Sequence, residues 1–353
     1  MPTITANKII FRNIDTYTKM YQGSELIAEV GSSGYDYLTF TAVQAGSTVK
    51  FSRENCTSYY SIDNGATWTS GNDVVVTLAN IGDSVKYKGV AAGGNYYSTA
   101  FTFTGRVAAS GSLMSMYNED PNETTISISN AFQYFFYGGT SLTTAPELPA
   151  TTLSDNCYMN LFYNCTSLTT APSLPAMTAT NYCYYQMFQG CTSLTTAPQL
   201  HATTLAMNCC YSMFAGCTSL TTAPQLPATT LASSCYFYMF SGCTNLITVQ
   251  TLPATTLDSN CYYGMFIGCN KLTVAPELPA TTLASACYRS MFQGCTKLNY
   301  IKCLATDISA TNCTTRFTQN VASSGTFVKA AGMNDWTTGT SGIPSGWTVQ
   351  DAS

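Results

Sequence analysis

From Leu142 onward the apolar positions recur neither every second residue, as in a half-buried strand, nor every 3.6, as in a helix. They recur every 26 residues. One series is Leu142, Leu168, Leu194, Leu220, Leu246, Leu272 and Leu298, and a second is Phe162, Phe188, Phe214, Phe240, Phe266 and Phe292. Cys157, Cys183, Cys209, Cys235, Cys261, Cys287 and Cys313 form a third, and Cys165, Cys191, Cys217, Cys243, Cys269 and Cys295 a fourth. A fixed period in the range of about 20–50 residues marks a solenoid or another repeat architecture. One unit, from Leu220, reads LTTAPQLPATTLASSCYFYMFSGCTN. Its Leu, Cys and Met-Phe positions are expected to face inward, because one coil cannot bury them alone and stacked coils can. Adjacent coils would then lie about 4.8 Å apart.

Within a unit, the Thr-rich LTTAPQL is the expected strand. Pro146, Pro172, Pro198, Pro224 and Pro276 stand in it, so there the strand should stop or turn its N–H off the ladder. The stretch CYFYMF fits either a short helical turn or a second extended segment. Gly190, Gly216, Gly242, Gly268 and Gly294 precede the second Cys and are expected to take a turn conformation that other residues resist.

Outside the array the period is lost. Residues 32–107 carry short alternating runs separated by turn signals, which predicts a small β-sandwich of immunoglobulin type. Asp63-Asn64-Gly65 is expected to be a hairpin turn, since Asn-Gly supplies the positive φ values of type I′. This module reads either as a spacer or binding domain or as a plain cap. Residues 1–31 read as two short strands around Gly23, an anchor-like segment or an edge hairpin of the sandwich. Residues 108–141 are the expected N-terminal cap of the solenoid and 309–353 its C-terminal cap. Phe317, Phe327, Val328, Trp336 and Trp347 are the natural cover for the last coil, with a Trp-based carbohydrate platform as the alternative.

Composition narrows the classes. Of 353 residues only 9% are charged and 45% are apolar, and the net charge is −4. That excludes a coiled coil, a disordered tail and a basic nucleic-acid binder. No run approaches the roughly 18 apolar residues a membrane span needs. Met1 to Asn13, MPTITANKIIFRN, has no apolar stretch of the signal-peptide kind, so the product is expected to be made in a cytoplasm.

The 16 Cys first suggest a disulfide scaffold. Their ladders read better as buried thiols, small apolar fillers at coil corners. Disulfides and metal stay open as alternatives. The two Cys of a unit are eight apart, which matches no common zinc spacing, and there is 1 His.

Units such as MFAGCTSLTTAPQLPATTL resemble the BspA-like leucine-rich repeats of bacterial surface proteins, of the kind found in gut Bacteroidetes and their phages. An aromatic, a Gly-Cys, a Ser-Leu-Thr and a Leu-Pro follow in that order over roughly residues 131–308. The strand prolines and the second Cys ladder depart from the pattern. The resemblance implies a mostly β chain: a leucine-rich-repeat solenoid over 142–308 preceded by the small sandwich. It also implies adhesion or protein binding rather than catalysis. Weaker, the segment around Gly23 resembles short N-terminal segments of phage structural and tail proteins.

No catalytic constellation stands out. Between Leu142 and Lys297 the charged residues are Glu147, Asp155, Asp258, Lys271, Glu277, Arg289 and Lys297. Glu147 and Glu277 share a repeat position five coils apart, about 24 Å at one strand spacing per coil, too far for a glycosidase pair. His201 replaces a repeat Pro and is expected at the surface as drift. No cofactor, metal or catalytic site is expected. Positions that vary between units are those the fold does not dictate. Tyr163, Tyr185, Tyr211, Phe237, Tyr263 and Arg289 are thus the candidate ligand-contact face, with stacking of the rings on one another as the alternative. The buried repeat core is expected to include Leu168, Cys183, Phe188, Cys191, Leu194, Cys209, Phe214, Cys217, Leu220, Cys235, Phe240 and Cys243.

Three function classes remain: a virion-associated phage fibre, decoration or tail protein, a bacterial cell-surface adhesin, and a polysaccharide-acting enzyme. The first is favoured. Residues 1–107 would meet other virion proteins, the solenoid would meet a host surface protein or glycan, and the protein would be a homo-oligomer. No nucleic acid and no membrane span is expected.

Overall fold

The computed structural model describes residues 35–91, 94 and 98–353, together with the backbone of Ile10–Ile14, Tyr17–Gln22 and Glu25–Ser32. The chain is mostly β. Its helix is a single four-residue turn among the described residues, α1 (Ser115–Asn118).

Strands β1 (Ile10–Ile14), β2 (Tyr17–Gln22) and β3 (Glu25–Ser32) form an antiparallel sheet of their own, in the order β1-β2-β3. Two strands flanking Gly23 were expected and β2 and β3 flank it, but Gly23 itself lies outside the described residues. The next module has two sheets. One runs β11 (Val107–Ser110), β4 (Leu38–Ala42), β9 (Ser84–Val90), β6 (Thr57–Ser61), β7 (Thr69–Ser70). The other runs β10 (Phe101–Thr104), β5 (Ser47–Phe51), β8 (Val75–Leu78). All their named pairings are antiparallel. Alternation of apolar residues aims one face of each sheet inward, and the faces meet through Phe40 of β4 and Phe101 of β10, ring centroids 4.8 Å apart.

The Asn64-Gly65 turn forms, with φ of 61° and 94° and the Ala66 N–H donating to the Asp63 carbonyl at 3.3 Å. It is not a minimal hairpin, because β6 ends at Ser61 and β7 begins only at Thr69. The Asp63 carboxylate organises the longer loop. It accepts from Ser61 and Thr67, and these bonds hold its pKa down at about 2.

Strand β11 continues into the array. The Val107 N–H donates to the Ser141 carbonyl and the Thr143 N–H returns to Val107, so β11 is the first rung under Leu142. At the turn after β11, Gly111 sits at φ +70° and an added Cβ would lie 2.1 Å from the Tyr37 carbonyl oxygen. Gly111→Ala is therefore expected to cost about 2 kcal/mol or more in equilibrium denaturation. A wild-type midpoint would contradict the close approach.

Each 26-residue unit has an extended side and a wall. The wall is neither helix nor strand. A positive-φ residue recurs every fourth position, as at Tyr182, Gln186 and Gly190, or Asn156, Asn160 and Asn164. Alternate amides bond in two directions. Those of Tyr185, Met187 and Gln189 donate three residues back, to Tyr182, Tyr184 and Gln186. Those of Tyr184, Gln186 and Phe188 donate to Cys209, Tyr211 and Met213 of the next coil at 2.8–2.9 Å. The wall thus satisfies its backbone within and between coils at once. Residues alternate in pairs between core and surface: Cys183-Tyr184 and Met187-Phe188 are buried, Tyr185-Gln186 and Gln189-Gly190 half-buried.

The extended side is not the continuous strand expected from LTTAPQL. It shows isolated parallel bridges such as Thr170↔Thr196 and Thr222↔Thr248. Proline explains the interruption. The Ala223 and Ala275 N–H groups donate to Thr248 and Tyr300 of the next coil, and there the position 26 residues after the proline holds Gln250 or Lys302. Where both coils carry Ala-Pro, as at Ala197-Pro198 and Ala223-Pro224, this bond is missing, because proline donates nothing and constrains the residue before it. Past Pro276, the last of the strand prolines, a regular parallel sheet forms: β14 (Tyr300–Cys303), β15 (Thr326–Lys329), β16 (Thr348–Asp351). Two-residue strands β12 (Thr178–Ala179) and β13 (Thr204–Leu205) pair in the ATT segment.

Leu168, Cys183, Phe188, Cys191, Leu194, Cys209, Phe214, Cys217, Leu220, Cys235, Phe240 and Cys243 are each 0% exposed. The rings of Phe136, Phe162, Phe188, Phe214, Phe240, Phe266 and Phe292 stack in one column at 5.3–5.8 Å, and Phe101 leads into it from the two-sheet module at 5.5 Å. No disulfide forms; all 16 Cys are free. The second Cys ladder does more than fill space. The thiols of Cys165, Cys191, Cys217, Cys243, Cys269 and Cys295 donate to the carbonyls of Phe136, Phe162, Phe188, Phe214, Phe240 and Phe266 at 3.0–3.3 Å. At the far end Phe317, Phe327, Val328, Trp336 and Trp347 are buried. Trp347 Nε1 donates to the Ala322 carbonyl at 2.7 Å. Buried indoles offer no ring face to a sugar, so the Trp platform falls away.

Candidate functional site

The candidate contact face resolves into two columns on the wall. Tyr185, Tyr211, Phe237 and Tyr263 are half-buried and stack on one another at 4.4–4.8 Å, with interplanar angles of 8–18°. The ends of the stack are covered. Arg289 lies over Tyr263 at 5.3 Å, and Tyr182 leans on Tyr185 at 5.6 Å. Tyr163 is not in this stack. It belongs to the column of Tyr137, on which it stacks at 4.8 Å. A platform for a sugar or peptide needs a free ring face, and these faces are already used by neighbouring rings. Burial also raises the phenol pKa of Tyr185 and Tyr211. The column leaves ring edges to solvent and ties five coils together through Arg289.

The extended side presents different chemistry. Thr169-Thr170, Thr195-Thr196 and Thr221-Thr222 are exposed, and so are Thr203-Thr204, Thr229-Thr230 and Thr255-Thr256. Beyond them one member of the first pair becomes apolar, in Ile247-Thr248 and Thr273-Val274, with Ile247 and Val274 each 53% exposed. Gln199, Gln225 and Gln250 are exposed beside the first row. A groove of about 470 Å³ opens between Thr195, Thr196, Ala197 and Gln199 on one coil and Thr221, Thr222, Ala223, Pro224 and Gln225 on the next, reaching Gln250. A second, of about 430 Å³, is lined by Thr203, Thr204 and Leu205 and by Thr229, Thr230, Leu231 and Ala232. Neither lining contains a charged residue.

Both grooves open at one seam, between the coil starting at Leu194 and the coil starting at Leu220. At the next seam Ala223 donates to Thr248 and Ile247 to Thr221, both at 2.9 Å, and Leu231 donates to Thr256 at 2.9 Å. The corresponding bonds here, Ala197 to Thr222, Thr221 to Thr195 and Leu205 to Thr230, do not form. The wall side of the same seam is intact, with Ser212 donating to Phe237 at 2.7 Å and Phe214 to Met239 at 2.9 Å. The seam is a wedge, closed at the wall and open at the extended side. Sequence reasoning did not find the wedge. Ala-Pro stands in four successive coils before Val249-Gln250, at Ala145-Pro146, Ala171-Pro172, Ala197-Pro198 and Ala223-Pro224, and the groove opens between the last two of them.

His201 is exposed, with Nδ1 3.2 Å from the Leu174 carbonyl. Glu277 pairs with Lys302 at 3.1 Å. Among the described residues no three His, Cys, Asp or Glu side chains gather as a metal site, and no helix is long and apolar enough to cross a membrane. Burial raises the thiol pKa of Cys157, Cys165, Cys243, Cys287, Cys295 and Cys303 to about 12, far from the low pKa a thiolate nucleophile needs. No family model matches this chain, and neither a curated protein nor a solved structure matches it.

Proposed function

We propose that this is a non-enzymatic display protein of a phage particle, a fibre, decoration or tail component. A BspA-like leucine-rich-repeat solenoid would hold a binding surface toward the host, and an immunoglobulin-like module with the segment before it would join other virion proteins. The supporting observation is the extended side of the array: neutral hydroxyl and amide groups repeated coil after coil, on a wall whose backbone bonds run unbroken from one coil to the next. Such a surface suits a host protein or glycan met by many copies, whose weak contacts add through avidity. A homo-oligomer would supply those copies. The same surface would serve a bacterial cell-surface adhesin, which is the second reading.

Adsorption competition tests the proposal. Purified protein incubated with host cells should occupy the receptor and lower particle adsorption several-fold. Replacing Tyr185, Tyr211 and Tyr263 by Ala should leave the competition unchanged wherever circular dichroism shows the fold intact, because those rings face one another. Undiminished adsorption at saturating protein would sink the host-binding role. Loss of competition in the folded triple variant would move the contact face to the wall.

A further inference from the structure

We infer that the wedge between the Leu194 and Leu220 coils is a binding site for a neutral saccharide of two or three units. This rests on the display reading and adds the place and the ligand class. The groove volume of about 470 Å³ lies within the usual range of small-ligand sites, about 300–1,000 Å³. Its rim supplies the groups sugar hydroxyls require. Exposed Gln199 and Gln225 carry amides that donate and accept together, the geometry that clasps two adjacent hydroxyls. The hydroxyls of Thr195, Thr196, Thr221 and Thr222 stand along both lips. Between them the Ala197 and Thr221 N–H groups and the Thr195 and Thr222 carbonyls have no protein partner. A saccharide hydroxyl, donor and acceptor at once, satisfies both kinds.

The chemistry also argues against other occupants. No charged side chain lines the groove, so nothing in it selects a sialylated or sulfated glycan. The large apolar residues beside it, Leu194, Leu200, Leu220 and Leu226, are turned into the core. A peptide would find backbone partners but no pocket for an anchoring side chain, and such anchors carry most of the affinity in protein recognition.

The opening itself can be removed. Substituting Ala223→Val and Pro224→Gln writes Val249-Gln250, the pair of the following coil, into this one. The Ala197 to Thr222 bond can then form as its counterpart from Ala223 to Thr248 does, and the wedge should close without loss of fold.

The experiment is a binding screen of the purified full chain. The probes are arrayed neutral gluco-, manno- and galacto-configured oligosaccharides of two to six units, beside sialylated and sulfated counterparts, with calorimetry on the best probe. The expected result is selective binding of a neutral probe. It should weaken at least tenfold in Gln199→Ala/Gln225→Ala and in the closing variant, and stay unchanged in Gln293→Ala on the wall. Neutral binding that survives both groove variants would overturn the site and leave the display role standing. No binding to any neutral probe, a preference for the anionic ones, or capture of an extended peptide instead would overturn the ligand class. Failure of the display role would appear separately, as host adsorption that the wild-type protein does not compete.

Discussion

Between pH 9 and pH 11 the protein is expected to unfold cooperatively under reducing conditions, with a midpoint near pH 10 at room temperature. The cause is the thiol ladders. In the unfolded chain a Cys titrates at its ordinary value of 9.0, whereas burial raises Cys157, Cys165, Cys243, Cys287, Cys295 and Cys303 to about 12 in the fold. Below pH 9 both states are protonated and the stability is complete. Above it the unfolded chain releases protons that the folded chain retains, so stability falls as pH rises, until the folded thiols titrate too. Each such group contributes about 1.4 kcal/mol per pH unit, so the six together amount to about 8 kcal/mol per unit. A domain's whole stability is about 5–15 kcal/mol, so one unit above the unfolded value is enough. Far-UV circular dichroism against pH, read beside thiolate absorbance, checks this. The two signals should change together. A fold that persists beyond pH 11.5 would contradict the buried-thiol account, as would thiolate signal appearing before the fold is lost. At pH 8 the same burial leaves half-buried Cys56 as the first thiol that iodoacetamide reaches.

Phe214→Ala is expected to destabilise the chain by about 3–5 kcal/mol, the cost of emptying a fully buried ring site. Phe214 is 0% exposed and stacks at 5.6 Å on Phe188 before it and at 5.6 Å on Phe240 after it. Its backbone carbonyl also accepts the Cys243 thiol. Repeat arrays are stabilised by nearest-neighbour interfaces, so two interfaces fail at once and no distant contact compensates. This coil also borders the open wedge, so its extended side contributes no ladder bonds toward the Leu220 coil. Urea denaturation should show the loss, and hydrogen exchange should quicken from about Leu194 to Leu246 before either end of the array. Phe214→Leu should cost less, about 1 kcal/mol, since most of the volume is kept. A loss below 1 kcal/mol for the Ala variant would mean that the Phe column does not hold the coils together.

The inward set was legible because burial in stacked coils forces the same residue type at the same position, and a period of 26 leaves no other reading of Leu194, Phe214 and Cys217. The wall was not legible as strand or helix because it is neither. Its repeat of four comes from positive-φ residues, and that position holds Asn160, Gln186, Ser212, Tyr238, Gly264 and Ser290 in successive coils. The coils with Asn156, Asn160 and Asn164 and with Asn260, Gly264 and Gly268 show residue types that tolerate this backbone at all three places, whereas Tyr182-Gln186 and Ala286-Ser290 do not. Tyr163 could have been separated from Tyr185 by counting, since the residue 26 positions after it is Gln189. Stacking of the Tyr and Phe rings on one another was one of the two readings of that row, and the structure bears it out; the choice between them rests on side-chain direction, which spacing does not carry. The wedge depends on a pairing between coils. Ala-Pro recurs in four successive coils, from Ala145-Pro146 to Ala223-Pro224, yet Thr169 donates to Thr143 and Thr195 to Thr169 where Thr221 makes no such bond to Thr195, so no single unit carries the signal.

Mass spectrometry of purified phage particles beside the washed cell envelope of the same culture tests the central claim most directly. Peptides of this chain should be enriched in the particles, in a constant ratio to the other structural proteins through successive purification steps. Enrichment in the envelope, with the particles depleted, would contradict the virion role and make the chain a cell-surface adhesin.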